Sequence, residues 1–564
     1  MTTLDQLKAE GEAPAWLTQE GYDTLSRGYL LSGETPRQLY QRVASAAAAY
    51  TSDPDHWQQK FFDAMWRNWL CLASPVASNL GTTRGLPISC NTLHVGDSVD
   101  SIFDKVHELA TLSKNGAGVG IYIGDIRGRG SPIAGNGTSE GVVPWAKIYD
   151  QTISSVSQGS TRRGSAVLYL PIEHTDIDEF INIRRPVGDP NRRCLNINHG
   201  VVITDAWMNE LIDGDRRKRE LWGSILQARV ETGEPYMLFV DAANRENPET
   251  YVKNGLTVKS SNLCTEIMLH TDPQHTFVCC LSSLNLVRWD EWKDTDVVRT
   301  AIRFLDCVLS EYIDKATGVR GLEASVRSAV KGRALGLGVL GWHTLLQKKG
   351  IPFDSFDAMM LNSTIFRWIR QESDLESRAL AKELGEPEWC RGFGRRNTHT
   401  MAVAPTFSNS IISGGHSPGI EPVAANIFSH KTAKGTFIKK NEVLVQALES
   451  IGRNTHETWR IINENAGSVQ TLDIPDEMKK VFLTAREINQ HAIIKQAIQR
   501  QRWIDQGQSV NLFFASNASP KYIHEVHLAA WQGGLKSLYY LRSEGVLRGD
   551  LASRSKDECA ACEA

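Results

Sequence analysis

Apolar and polar positions along the chain follow two regimes. Up to residue 72 the apolar side chains recur at helical spacing, as in Trp57, Phe61, Phe62, Met65, Trp66 and Trp69, with no strand-like alternation. This predicts a helical N-terminal lobe over residues 1–72. From residue 73 short apolar runs alternate with helical segments and Gly-rich turns, the pattern of a largely parallel α/β domain. Ten runs predict strands: residues 88–95, 118–123, 166–171, 200–204, 236–240, 277–282, 335–340, 401–404, 510–514 and 537–541. Ten evenly spread strands exceed one nucleotide-binding half and indicate a closed or paired sheet over residues 73–547. Beyond that the chain turns polar and small-residued, and residues 548–564 read as a mobile tail.

At 564 residues with a net charge of −3, the chain can bury a large interior and has no electrostatic reason to bind nucleic acid. No run approaches the ~18 apolar residues of a membrane span, and the first residues lack a basic segment followed by an apolar one. A cytoplasmic protein is expected, with no membrane or nucleic-acid partner. Ten cysteines in so long a chain are not a disulfide scaffold, and a reducing compartment keeps them as thiols unless a catalytic cycle oxidises them.

The most reactive-looking stretch is Ser261-Asn262-Leu263-Cys264-Thr265-Glu266. On an extended segment Asn262, Cys264 and Glu266 share one face. A buried cysteine by itself reads as core, but an amide and a carboxylate on the same face need partners and point to a ligand.

Two more thiol groups stand apart from it. Cys90 and the adjacent Cys279 and Cys280 lie on buried strands, where structural thiols are the ordinary reading. The tail pair Cys559-Ala560-Ala561-Cys562 is a C-x-x-C suited to dithiol exchange, and no second Cys or His pair stands nearby to complete a zinc site, so no metal is expected. The nineteen positions from Tyr540 to Cys559 span on the order of 25 Å as a flexible coil, enough to enter a cleft and to leave it.

Phosphate chemistry is suggested by loops. Pro405-Thr406-Phe407-Ser408 follows a strand and offers hydroxyls and backbone N–H groups at a helix start, where an ordinary N-cap is the alternative. Gly-rich segments at 114–120, 127–137 and 158–164 follow early strands and carry Arg127, Arg129, Arg162 and Arg163. Tyr539-Tyr540 reads first as two strand aromatics.

Together these motifs resemble the large, catalytic subunit of class I ribonucleotide reductase over essentially the whole chain. The resemblance rests on residues 20–36, Ser89-Cys90, Asn262 to Glu266, Pro405-Thr406, Gly419-Ile420-Glu421-Pro422, Leu538-Tyr539-Tyr540 and the tail cysteines, in that order. It implies a ten-stranded α/β barrel of two five-stranded parallel halves set antiparallel, with the Cys264 segment on a loop inside it. By similarity Cys264 is a transient thiyl radical that removes the 3′-hydrogen of a ribonucleotide. Glu266 takes the 3′-hydroxyl proton, and Asn262 holds that carboxylate and the substrate. Cys90 and one of the adjacent pair, Cys279 by counting back from Asn285, supply the reducing equivalents. Cys559 and Cys562 reduce the resulting disulfide and are reset by thioredoxin or glutaredoxin.

The same resemblance assigns Tyr539 and Tyr540 to radical transfer from a separate metal-containing small subunit, with no cofactor bound directly. It assigns Ser74, Ser89, Gly118, Pro405, Thr406 and Ser408 to the substrate, and Asp97, Ser98, Arg127, Ala134, Gly135 and Arg162 to a nucleoside triphosphate effector site at a homodimer interface. The helical lobe begins almost at once, leaving no room for the N-terminal ATP-cone domain of many members, since a domain needs about 50 residues. Two rivals remain: an adenosylcobalamin-dependent reductase, against which the tyrosine pair argues, and a nucleotide-binding regulatory protein whose thiols are structural and lie apart.

Overall fold

The computed structural model describes residues 3–156, 164–432 and 435–543. The N-terminal lobe is helical, with helices Leu4–Ala9, Gln19–Gly28, Pro36–Ala48 and Pro54–Trp66. The side chains of Thr3, Thr18, Thr35 and Asp53 each accept a hydrogen bond from a first-turn backbone N–H, and proline at the first helical position begins the last two helices. Their apolar stripes, including Leu25, Leu39, Val43 and Phe61, join the main core.

Next come β1 (Leu70–Leu72), β2 (Cys90–His94), β3 (Gly118–Tyr122), β4 (Ser165–Pro171), β5 (Asn198–Ile203) and β6 (Tyr236–Phe239). Strands β2 to β6 pair in sequence order, all parallel. A second parallel set begins with β7 (Phe277–Asn285) and β8 (Leu335–Leu340). It continues through single parallel bridges from Leu337 to Met401 and from Val403 to Gln508. A hairpin outside the barrel, β9 (Ile427–Thr432) with β10 (Gly435–Lys440), precedes β11 (Leu512–Phe513), β12 (Ser537–Leu538) and β13 (Leu541–Arg542). β11 pairs parallel with β13.

The two halves meet antiparallel at both edges, β2 with β7 and β6 with β12. The ring is therefore closed, and each of the ten predicted runs takes part in one barrel position. Closure removes the exposed edges that an open sheet of this size would present. The run at 401–404 forms only bridges, and the run at 537–541 is interrupted at Tyr539 and Tyr540. The hairpin β9–β10 and the satellite core behind it, with Leu444, Leu448, Trp459 and Ile462, were not among the expected strands.

Strand alternation sorts side chains into two cores. Ala166, Leu168 and Leu170 of β4 and Met237 and Phe239 of β6 face outward into the main core. Val167, Tyr169, Tyr236 and Leu238 face inward and pack around Leu263, Cys264, Met268 and Tyr539. The barrel interior is thus filled by a loop rather than by strand side chains alone. Among the described residues no helix is long and apolar enough to cross a membrane.

Candidate active site

Residues 260–271 form the loop that fills the barrel, and every one of them is buried. Two glycines on the inner face of β3 admit it. A Cβ on Gly120 would lie 2.1 Å from the Ser261 carbonyl oxygen and 2.5 Å from Thr92 Oγ1, and one on Gly118 would lie 3.0 Å from Leu263 Cδ2. The loop is held from the other side by Tyr169, whose hydroxyl donates to the Asn262 carbonyl at 2.9 Å.

The extended geometry expected for Asn262 to Glu266 is not what the chain adopts. Residues 262–265 form a turn, with the Thr265 N–H donating to the Asn262 carbonyl at 3.4 Å and Thr265 at φ 67°. A non-glycine residue in the left-handed region is uncommon and costs backbone strain. Asn262 and Glu266 are nevertheless brought together, because the turn folds the segment back on itself: Asn262 Oδ1 accepts from the Ile267 N–H at 3.1 Å.

Asn262 Nδ2 donates to Cys90 Sγ at 3.1 Å, and the Cys90 thiol reaches Glu266 Oε1 at 3.8 Å. Ser509 Oγ lies 2.6 Å from the Cys264 carbonyl, to which it donates, and 3.2 Å from Glu266 Oε2. Burial pushes the Glu266 carboxyl up to about 7, against partial compensation from its own backbone N–H and from Asn262, Ser509 and Cys90. A carboxyl held there is matched to proton transfer near neutral pH.

Cys90 and Cys279 are direct partners across the antiparallel β2–β7 pair, so their side chains leave the sheet on the same face. Cys279 Sγ accepts from Gln506 Nε2 at 3.3 Å inside the barrel. Cys280, one residue on, points to the outer face, where its electrostatic neighbours include Asp306 and Arg333. Register therefore separates the adjacent cysteines: Cys279 belongs with Cys90 and Cys280 with the outer core. Burial raises both thiols well above their usual range.

Tyr539 Oη donates to Cys264 Sγ at 3.6 Å. The Tyr539 and Tyr540 rings lie 4.4 Å apart between centroids, and Tyr236 packs against both, at 4.8 and 4.9 Å. Arg229 is fully buried and grips this cluster from behind, donating to the carbonyls of Pro235 and Tyr539 and to His527 Nε2. Burial lowers its guanidinium to about 9.

The residues expected to meet the substrate sit at one end of the barrel. Ser89 and Gly118 open β2 and β3, with the Gly118 N–H donating to the Ser89 carbonyl at 2.8 Å. Pro405, Thr406 and Ser408 follow the 401–403 strand of the antiparallel half, which brings its C-terminal end to the same mouth. Thr406 sits at φ 56°, and its Oγ1 accepts from the Gly419 N–H at 2.8 Å. Ser74 begins helix Ser74–Asn79 and its hydroxyl meets Tyr29 Oη at 2.8 Å.

The residues expected at an effector site lie beyond the opposite ends of β2 and β3. Arg127 Nε bonds Asp97 Oδ2 at 2.7 Å, Ser98 caps helix Val99–Lys114, and Ala134 and Gly135 form the exposed tip of the turn that follows. Arg162, Cys559 and Cys562 lie outside the described residues. The turn leading from the Cys264 loop to β7 holds a His270, Asp272 and His275 cluster whose side chains hydrogen-bond to one another.

Sequence reading missed Tyr236, Tyr169, Arg229, Gln506 and Ser509, which share no local motif with the loop they support. Alternation gave the one available signal, since Tyr236 and Leu238 share a face of an apolar strand.

This arrangement of a loop threaded through a closed α/β barrel defines a class of enzyme, and comparison with known proteins identifies it. The chain matches "Ribonucleotide reductase, barrel domain" over residues 88–217, 215–393 and 388–541, and "Ribonucleotide reductase, all-alpha domain" over 15–85. It is 40% identical over 570 residues to a Frog virus 3 (isolate Goorha) protein provisionally named a ribonucleoside-diphosphate reductase large subunit, covering 97% of this chain and 98% of that one. Against the ribonucleoside-diphosphate reductase large subunit of Arabidopsis thaliana the identity is 30%, over 93% of this chain and 75% of the relative. The solved Actinobacillus ureae class Id ribonucleotide reductase alpha subunit superposes with a TM-score of 0.87 at 41% identity, covering 94% of this chain and 98% of that one. The chain belongs to the ribonucleotide reductase family, as a large, catalytic subunit.

Proposed function

We propose that this subunit reduces ribonucleoside diphosphates to 2′-deoxyribonucleoside diphosphates by thiyl-radical chemistry. The observation that carries the reading is the 3.6 Å contact between Tyr539 Oη and Cys264 Sγ, beside a carboxylate shared by Asn262, Ser509 and Cys90.

In this reading an oxidising equivalent reaches Cys264 through Tyr540 and Tyr539, leaving a sulfur radical. That radical takes the 3′-hydrogen, forming S–H and a carbon radical, while Glu266 accepts the 3′-hydroxyl proton. Asn262 holds the loop and orients the substrate. The 2′-hydroxyl leaves as water as Cys90 and Cys279 together supply two electrons and two protons and join as a disulfide. Return of the hydrogen from Cys264 to C3′ restores the radical and return of the proton from Glu266 restores the 3′-hydroxyl, so atoms and electrons balance over one turnover.

Cys559 and Cys562 reduce the Cys90–Cys279 disulfide by exchange and are themselves reset by thioredoxin or glutaredoxin. Ser74, Ser89, Gly118, Pro405, Thr406 and Ser408 bind the substrate, the last two around its phosphates. Asp97, Ser98, Arg127, Ala134, Gly135 and Arg162 bind a nucleoside triphosphate effector at the interface of a homodimer. The radical comes from a metal-containing small subunit in the cytoplasm.

The test supplies the purified chain with a ribonucleoside diphosphate and a dithiol, plus either a radical-generating small subunit or adenosylcobalamin. Deoxynucleotide is expected only with the small subunit, and Cys264→Ser abolishes it while leaving nucleotide affinity within about threefold. Turnover with the cobalamin alone, or by Cys264→Ser, overturns the reading.

A further inference from the structure

Adjacent residues of a regular strand point to opposite faces, yet the rings of Tyr539 and Tyr540 lie together, 4.4 Å between centroids. The backbone permits this by leaving strand geometry: β12 ends at Leu538, β13 starts at Leu541, and the two tyrosines lie in neither. The neighbouring segment shows how the interruption is held. Tyr539 N–H donates to the Val510 carbonyl at 2.9 Å, and the Tyr540 carbonyl accepts from Leu512 N–H at 3.0 Å. Between these ladder bonds, Tyr540 N–H finds a side chain instead of a backbone carbonyl, Asn511 Oδ1 at 3.0 Å. An irregularity of this kind beside a reactive centre re-aims a side chain.

The other end of the same amide is also fixed. Asn511 is 4% exposed, and its Nδ2 donates to Glu421 Oε1 at 2.6 Å. Glu421 belongs to the turn Pro418 to Glu421, closed by its N–H on the Pro418 carbonyl at 2.9 Å. Gly419 of that turn donates to Thr406 Oγ1 at 2.8 Å and sits at φ 48°, where a Cβ would lie 2.9 Å from the Ala404 carbonyl. A continuous set of contacts thus runs from Thr406 through Gly419, Glu421 and Asn511 to the backbone of Tyr540.

We infer that Asn511 is a positioning residue for radical transfer: its side-chain amide sets the close, tilted packing of Tyr539 against Tyr540 and ties it, through Glu421, to the loop that grips the substrate phosphates. The inference rests on the proposed roles of Thr406 and of the tyrosine pair. It supplies a physical route by which an occupied phosphate site and a conducting tyrosine pair favour one another.

The test uses the complete system of large subunit, radical-generating small subunit, ribonucleoside diphosphate, effector and dithiol. Asn511→Ala lowers kcat at least tenfold with substrate KM within about threefold. Asn511→Asp keeps the shape and the acceptor for Tyr540 but sets a second carboxylate against Glu421, so one shared proton is needed to restore the contact. Its kcat relative to wild type therefore rises at least fivefold from pH 8 to pH 6, a dependence that a merely loosened fold does not produce. The double variant of Asn511→Ala and Glu421→Ala is within twofold of Asn511→Ala alone.

Wild-type kcat in Asn511→Ala, a pH-independent ratio in Asn511→Asp, or multiplying losses in the double variant overturns the inference. Tyr540→Phe serves as the control on its foundation: full turnover in that variant removes the radical role of Tyr540 itself, whatever Asn511 does.

Discussion

Cys90 and Cys279 stand directly opposite each other on antiparallel strands, so both thiols enter the barrel from one seam, whereas Cys280 leaves on the other face. Cys279→Ser should therefore stop deoxynucleotide formation beyond a trace. Cys280→Ser should keep turnover within about twofold, with a modest loss of thermal stability from the changed outer packing. Product yield per subunit, measured with a small dithiol reductant, checks both. The reverse result would assign the reducing role to the outward thiol.

Glu266 ties activity and stability to pH with opposite signs. Its carboxyl stands at about 7 in the folded chain against 4.5 as the ordinary value, so between those values the folded state holds the extra proton. That stabilisation is complete below about 4.5 and lost as pH rises through about 7. Glu266→Gln should raise the free energy of unfolding relative to wild type more at pH 8 than at pH 5, by at most on the order of 3 kcal/mol. Turnover in the wild type should rise with pH through an inflection near 7, because the base works deprotonated, and Glu266→Gln should abolish that rise. Calorimetry and a pH–rate profile measure the two halves separately.

Tyr236 touches both rings of the tyrosine pair and contributes packing to their geometry. Tyr236→Phe, which keeps the ring, should lose less than threefold in kcat. Tyr236→Leu should lose at least tenfold with substrate KM unchanged, because the gap lets the pair separate. Steady-state kinetics with the small subunit in excess distinguishes the two.

The two glycines under the reactive loop make unequal demands. Gly120→Ala drives a methyl into a carbonyl oxygen that has no room to move, whereas Gly118→Ala meets the end of a leucine. The first should cost about 1–3 kcal/mol of stability and displace the loop enough to lower kcat more than tenfold; the second should do neither to that extent. Urea unfolding and turnover check the ranking.

Much of this was legible in the chain. Each of the ten barrel positions overlaps an apolar run, and residues 335–340 form a strand with the same bounds as the run, since a fully buried strand carries its signal in composition alone. What periodicity could not convey is anything set by register or by long-range contact. The partnership of Cys90 with Cys279 is a cross-strand property, and the choice between Cys279 and Cys280 follows from it. The turn at Thr265 escaped because threonine carries no preference for positive φ; tertiary packing under Gly120 and Tyr169 imposes it. Tyr236 and Ser509 were hidden for the same reason, lying far along the chain from the loop they hold.

The segment carrying Tyr539 and Tyr540 also completes the ring, pairing with β6 on one side and with residues 510–514 on the other. The closing strand of the barrel and the tyrosine pair beside Cys264 are one piece of chain. A fluctuation that opens this seam separates Tyr539 from Cys264 at the same moment that it lets water in. In the proposed reaction, transfer to Cys264 is thereby confined to the closed barrel, and the protection of its sulfur radical comes from the path of the chain itself.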